Sequence, residues 1–212
     1  MKSQVRGGTR WKRFAVVMVP SVAATAAIGV GLAQGALAAS FSISGQEFKV
    51  KADSLVGKDF VQYGSVAAGK DLHGKPFAEP VGVSGFSEAW ISNMCQSVVT
   101  PDVPFIGNVS LELRAGTDPK KPVYAKDIYL DVSSLKADAE FGNIDIGVAA
   151  GSLKDPGIQP GTQANPYGFS QRAKTAKLTN VEQKAWATTA GTFKLSNLSL
   201  KLHKGTKECF TE

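Results

Sequence analysis

Few groups in this sequence have the types and spacing that chemistry needs. Gly64-Ser65-Val66-Ala67-Ala68-Gly69-Lys70 follows a phosphate-cradling loop until its last position, where Asp71 stands instead of Ser or Thr. A carboxylate there repels phosphate and removes the hydroxyl ligand to magnesium, and Leu72-His73-Gly74-Lys75-Pro76 cannot open a helix. Gly82-Val83-Ser84-Gly85-Phe86 approaches the nucleophile elbow of a hydrolase, but its second glycine comes one residue early. The two histidines offer little more: His73 sits in a Gly/Pro-rich turn and His203 on the polar side of the last strand. With no His-Glu-x-x-His pattern a zinc site is not expected. Carboxylates fall singly on polar strand faces, so no pair suits glycoside hydrolysis. The sequence therefore predicts no catalytic residue, no metal and no cofactor.

Cys95 and Cys209 are the only cysteines. Cys95 has no basic neighbour and no C-x-x-C partner, so a structural disulfide is expected rather than a reactive thiol. Closing a loop of more than a hundred residues, it would tie Lys207-Glu208-Cys209-Phe210 to the middle of the chain.

Charge excludes a further class of function. The net charge of +6 is concentrated at the start, where Lys2, Arg6, Arg10, Lys12 and Arg13 precede any acidic residue. Setting these five aside leaves 19 basic against 18 acidic residues, too balanced for a phosphate-binding surface, so no nucleic-acid partner is expected. After the basic head, residues 15–39 carry no charge and end Gly35-Ala36-Leu37-Ala38-Ala39, an A-x-A site with cleavage before Ala39. Basic head, apolar middle and small-residue exit make a secretory signal. The middle, at 23 residues from Ala15 to Leu37, is also long enough to span a bilayer of about 30 Å. Residues 1–38 are thus read as a signal peptide or an N-terminal membrane anchor, its basic end in the cytoplasm. Residues 39–212 are read as a single β-rich extracytoplasmic domain.

That domain alternates with period two. Phe48, Val50 and Ala52 alternate with lysines and Asp53; Val109, Leu111 and Leu113 with Ser110, Glu112 and Arg114. Ile128-Leu130-Val132, Ile144-Ile146-Val148 and Leu198-Leu200-Leu202 repeat the pattern. Strands that bury one face and wet the other imply antiparallel sheets, here an all-β antiparallel sandwich or curved, barrel-like sheet. Gly and Pro are expected to break the strands over 64–80, 100–107, 115–122 and 151–168, the last as a long mobile loop or lid. Two echoes suggest a sheet built by duplication: residues 48–55 with 128–135, and Phe141-x-Asn143-Ile144 with the segment around Asn197-Leu198.

Several segments together carry a resemblance: the signal, Val61-Gln62-Tyr63-Gly64, Asn93-Met94-Cys95-Gln96-Ser97, Ala185-Trp186-Ala187-Thr188-Thr189-Ala190-Gly191 and Lys207-Glu208-Cys209-Phe210. With these the chain resembles, over nearly its whole length, a family of exported actinobacterial proteins found in Streptomyces-type bacteria. Its function is unknown, and automated labels often read cholesterol esterase. The resemblance implies an exported β-rich domain and, through that label, a sterol or lipid esterase, with no catalytic residues to carry over.

The leading expectation is an exported, non-enzymatic cell-envelope or secreted protein that holds a hydrophobic, lipid-like ligand. Amphipathic strands and a Gly/Pro-rich segment able to gate a cavity favour it. Aromatics near loops are the candidate lining: Phe60, Tyr63, Phe77, Trp90, Tyr167 and Phe169. A self-associating surface protein, joined through strand edges, is the alternative.

Overall fold

Strands of ordinary length run to about 5–6 residues, and four of those here are several times longer. The computed structural model describes residues 43–211, so the signal or anchor read over residues 1–38 lies outside the described residues. The elements are β1 (Ile43–Gly45), β2 (Phe48–Asp71), β3 (Pro76–Ser92), β4 (Met94–Val103), β5 (Gly107–Ala115), β6 (Val123–Ala149), a single 3-10 turn at Ala150–Ser152, β7 (Phe169–Lys194) and β8 (Ser199–Lys204). Among the described residues no helix is long and apolar enough to cross a membrane.

All eight strands belong to one sheet, antiparallel apart from the short β1. Strands β2 and β3 form one hairpin, and β6 and β7 form a second. The two hairpins are joined along both edges: β7 pairs with β2 from Phe48↔Ala185 to Tyr63↔Ser170, and β3 pairs with β6 from Gly82↔Val132 to Ile91↔Val123. The result is a closed ring, β3–β6–β7–β2–β3, in which β3 before Gly82 and β6 after Val132 keep an open edge towards each other. From β2 the sheet extends outward through β4 and β5 to β8.

Prolines and glycines do not break the chain over 64–80 as expected. That stretch forms the arms of the β2–β3 hairpin, and the reversal occupies only residues 72–75. Asp71 organises the turn, its carboxylate accepting from the His73 and Lys75 N–H groups at 2.8 Å each. Pro76 and Pro80 are tolerated in β3 because pairing with β6 begins only at Gly82, so their missing N–H groups fall on an open edge.

Strict alternation cannot carry strands of 24 to 27 residues around a tight ring, and it is interrupted at intervals. At Gly57-Lys58-Asp59-Phe60, Ala125-Lys126-Asp127-Ile128, Phe141-Gly142-Asn143-Ile144 and Leu178-Thr179-Asn180-Val181 the first and last residues face the core. The two between point outward. Each Asp or Asn has φ of 51–54°, a left-handed conformation these residues tolerate better than most. The pairing strands reverse phase at the same level: Phe86 and Ala89 in β3, and Ala173 and Ala176 in β7, flank the same kink as Gly57 and Phe60. Asn197, the sequence echo of Asn143, shares its left-handed φ of 54° but lies in the turn between β7 and β8, with Leu198 exposed.

The core has two parts on opposite faces of the sheet. Inside the ring lie Val50, Leu55, Phe60, Phe86, Ile91, Ile128, Leu130, Leu178 and Val181 among others. Outside it, Val61, Tyr63, Val81, Val83 and Ala187 are covered by Leu153, with Ile158 and Ala164 packed alongside. The Gly/Pro-rich segment 151–168 is therefore a packed cover on the outer face, not a lid over the interior. Its backbone is fixed at Gln159, whose N–H donates to the Tyr63 hydroxyl at 2.8 Å, and at Gly157, whose carbonyl accepts from Tyr129 O–H at 3.2 Å. Cys95 and Cys209 form the expected disulfide, with Cα atoms 5.8 Å apart.

Candidate functional site

The ring interior is not filled. Two adjoining apolar chambers, about 150 and about 30 Å³, share Leu55, Leu130, Val181 and Gln183 in their walls. The larger is completed by Phe60, Phe86 and Leu178 and, along β6, by the small Ala137 and Ala139 followed by Phe141. Leu135, 41% exposed, stands in its wall where β6 has run past its pairing with β3, so the chamber opens between these strands. The smaller is walled by Val50, Ala52, Ile91, Met94, Ile128 and Phe193, with Gln96 and Thr188.

Strand register explains which polar groups enter. Across β6, β7, β2, β4, β5 and β8, one row reads Leu135, Gln183, Val50, Gln96, Leu113, Leu200. Directly paired residues share a face and lie within about 5.5 Å at Cβ. The inner surface of the ring thus continues across β4 and β5 to β8, where Leu200 and Leu202 are 57% and 70% exposed. Gln183 alternates with Val181 and Ala185 on an otherwise apolar face and is only 6% exposed.

The polar groups divide into satisfied and free. Gln171 Nε2 donates to Gln62 Oε1 at 2.6 Å, and Gln62 Nε2 donates to Ser84 Oγ at 3.0 Å, closing a chain at one end of the larger chamber. Ser84, the serine of the elbow-like segment, is held there, with neither histidine in the chamber walls. The side chains of Gln183, Gln96 and Thr188 make no hydrogen bond to any described residue. No charged side chain lines either chamber. A wider cleft beyond Phe60, about 700 Å³, is by contrast lined by Asp59, Asp145, Lys154, Asp155, Arg172 and Lys174, with Arg172 paired to Asp145 at 2.9 Å.

Of the six aromatics singled out from the sequence, the structure brings only Phe60 into the interior, 5.3 Å from the Phe86 ring and 5.0 Å from Phe141. Tyr63 lies on the outer face under segment 151–168, where burial pushes its hydroxyl up to about 12. Phe77 stacks on Trp186 at 4.8 Å, packed against the same outer cluster. Trp90 packs on Tyr124 at 5.7 Å beneath the Lys58 ammonium. Tyr167 and Phe169 are 90% and 66% exposed at the end of β7 and its preceding loop. Sequence reasoning missed Gln183, Gln96 and Thr188, although a glutamine alternating with Val181 and Ala185 is itself a visible signal.

A second polar cluster lies where the chain end crosses β5 and β8. Ser110 is register partner of His203, and Glu112, two residues on, lies 2.7 Å from Arg114 Nε, 3.3 Å from Lys207 Nζ and 3.7 Å from His203 Nε2. The Arg114 guanidinium holds the Glu112 carboxyl below the usual range, and Lys207 adds to it. Ser110 is fully buried; its hydroxyl donates to the Gly205 carbonyl at 2.7 Å and accepts from Lys207 N–H at 2.8 Å. That hydroxyl secures the chain end and gives no proton to the imidazole.

The fold and site define a class: an all-β protein closed on two crossed-over hairpins, with an apolar interior reached between strands. The chain belongs to the family of unknown function DUF6230, which it matches over residues 44–210. No curated protein and no solved structure matches it.

Proposed function

We propose that this is an exported cell-envelope or secreted protein, non-enzymatic, that binds the hydrocarbon part of a lipid-like ligand inside its ring. The observation that carries the reading is the open, uncharged chamber of about 150 Å³ between β3 and β6. A cavity of that size accepts an aromatic ring or a short alkyl segment, so a longer chain would extend past Leu135, or along the row from Val50 towards Leu200. Export is supported by the leader-like residues 1–38 and by the Cys95–Cys209 bridge. An esterase, as the label of the resembling family implies, would need a free serine beside an imidazole, and the serine nearest His203 in register is committed to backbone.

Mass spectrometry of organic extracts from protein purified from its native host tests the proposal directly. A hydrocarbon-bearing compound recovered at near-equal stoichiometry, and lost in Ala137→Leu, is expected. Protein that yields none, and whose interior methyl resonances ignore added hydrophobic probes, would refute it.

Self-association is favoured by one separate observation. Strand β8 ends the sheet and carries Leu200 and Leu202, which with Leu198 just before it are each more than half exposed. Size-exclusion across a hundredfold range of concentration decides it, a strict monomer ruling it out.

A further inference from the structure

We propose that the ligand carries one uncharged oxygen function, a hydroxyl or carbonyl, that hydrogen-bonds Gln183 where the two chambers meet. The inference rests on the chamber being a ligand site, and it names the class of compound that fits: a neutral, singly oxygenated hydrocarbon, in preference to a plain alkane or a carboxylate.

Three observations lead there. Gln183 is 6% exposed, stands in the walls of both chambers and makes no hydrogen bond to a described residue. Among the described residues the fully buried side-chain nitrogen or oxygen without a partner is His203 Nε2, so the Gln183 amide keeps accessible surface. Standing in the chamber wall with both donors and an acceptor unused, it suits either an alcohol or a carbonyl. Second, the other unbonded polar side chains of the interior, Gln96 and Thr188, line the smaller chamber with Gln183. Polar groups are therefore gathered at one place in an apolar interior, as a site that orients a mostly hydrocarbon ligand requires. Third, neither chamber has a charged side chain in its wall, so an ionised carboxylate entering it would be desolvated without a counter-charge. The chain of Gln171, Gln62 and Ser84 is by comparison closed upon itself and offers the ligand little.

The test is a methyl NMR titration of the protein with 1-hexanol, n-hexane and hexanoate, in wild type, Gln183→Leu and the more nearly isosteric Gln183→Met. Retention of the dispersed methyl spectrum establishes that each variant is folded. Hexanol should shift the methyls of Leu55, Leu130 and Val181 and bind more tightly than hexanoate. Loss of the amide should weaken hexanol by about 3- to 10-fold relative to its effect on hexane. Thr188→Val should weaken hexanol as well, to a smaller degree. Equal binding of hexanol and hexane that neither Gln183 substitution alters overturns the inference and leaves the hydrocarbon site standing. Preference for hexanoate overturns it too. Silence of all interior methyls towards all three probes removes the proposed function itself.

Discussion

Replacing Cys95 and Cys209 together by serine tests whether the chain end is part of the cooperative fold or a strap laid over it. The two residues are 114 apart in sequence. Closing a loop of that length lowers the entropy of the unfolded chain by an amount worth about 5 kcal/mol on the chain-entropy model. For a protein of this size 1 kcal/mol moves the melting temperature by about 2–4 °C, so the bridge is worth about 10–20 °C. That full effect requires the end segment to unfold with the ring. The structure argues that it does, because Cys209 N–H donates to the buried Ser97 hydroxyl at 3.0 Å and Lys49 Nζ pairs with Glu208 at 2.8 Å. Lys207 N–H adds a bond to Ser110. The assay is calorimetry of the double variant beside wild type, with reductant-treated wild type as the control for the serine hydroxyls. A fall of about 10 °C or more, in a single transition, is expected. A shift under about 3 °C would show that residues 205–211 detach independently, and the reasoning would fail.

Three further outcomes follow from particular side chains. Burial holds the Asp131 carboxyl above its usual range, so its stabilising contribution is complete below the unfolded value of about 3.9 and is lost as pH rises through the folded one. Asp131→Asn should therefore raise the urea midpoint at pH 7 and leave it unchanged near pH 3; a lower midpoint at pH 7 would contradict this. Glu112 has the opposite sign, because Arg114 depresses its folded value: the stabilisation is full above about pH 4.3 and disappears as pH falls through that depressed value. Glu112→Gln should accordingly cost stability at pH 7 and converge with wild type in acid, and parallel curves at the two pH values would count against the ion cluster. Finally, a Cβ added at Gly57 would lie 2.2 Å from the Phe86 ring. Gly57→Ala should then destabilise by about 1–3 kcal/mol in equilibrium unfolding, and an unchanged midpoint would show that Phe86 does not pack against this strand.

The strands were legible in the sequence because their inward residues alternate. Val50 with Ala52 and Leu130 with Val132 each predict a half-buried strand, and each is one. β5 is a strand too, but there Ser110 and Glu112 are buried, with Leu111 and Leu113 only partly covered. The disulfide was legible because two cysteines leave one pairing. The length of the strands was hidden by the same rule of alternation, since Asp59, Asp127, Asn143 and Asn180 reverse the phase without ending the strand. Read locally, Phe141-Gly142-Asn143-Ile144 resembles a turn between two strands. Pairing to β7 on both sides carries the chain straight through it. Of the aromatic candidates only Phe60 reaches the ring interior, while Tyr63 and Phe169 line a separate cleft of about 340 Å³ that shares Gln62 and Leu135 with the chamber. Phe60 and Tyr63, both beyond the Asp59 kink and an odd number of residues apart, take opposite faces by plain alternation.

The kinks also bear on why the chamber exists. Around them the ring places three phenylalanines, Phe60, Phe86 and Phe141, against one end of the interior, while Ala137 and Ala139 face the space beside them. A closed void of about 150 Å³ would cost about 3–4 kcal/mol at about 24 cal/mol per Å³, and the opening to solvent reduces that figure. A single Ala137→Leu substitution adds three carbons to the wall of this space and should recover about 1–2 kcal/mol. Folding alone would therefore favour the larger residue, and a stability optimum is not what this interior expresses. If the space exists for a ligand, Ala137→Leu must raise the unfolding midpoint and at the same time abolish hexanol shifts at Leu130 and Val181. A variant that is less stable than wild type yet binds hexanol unchanged would mean that the alanine is required for packing and that the ligand, if there is one, lies elsewhere.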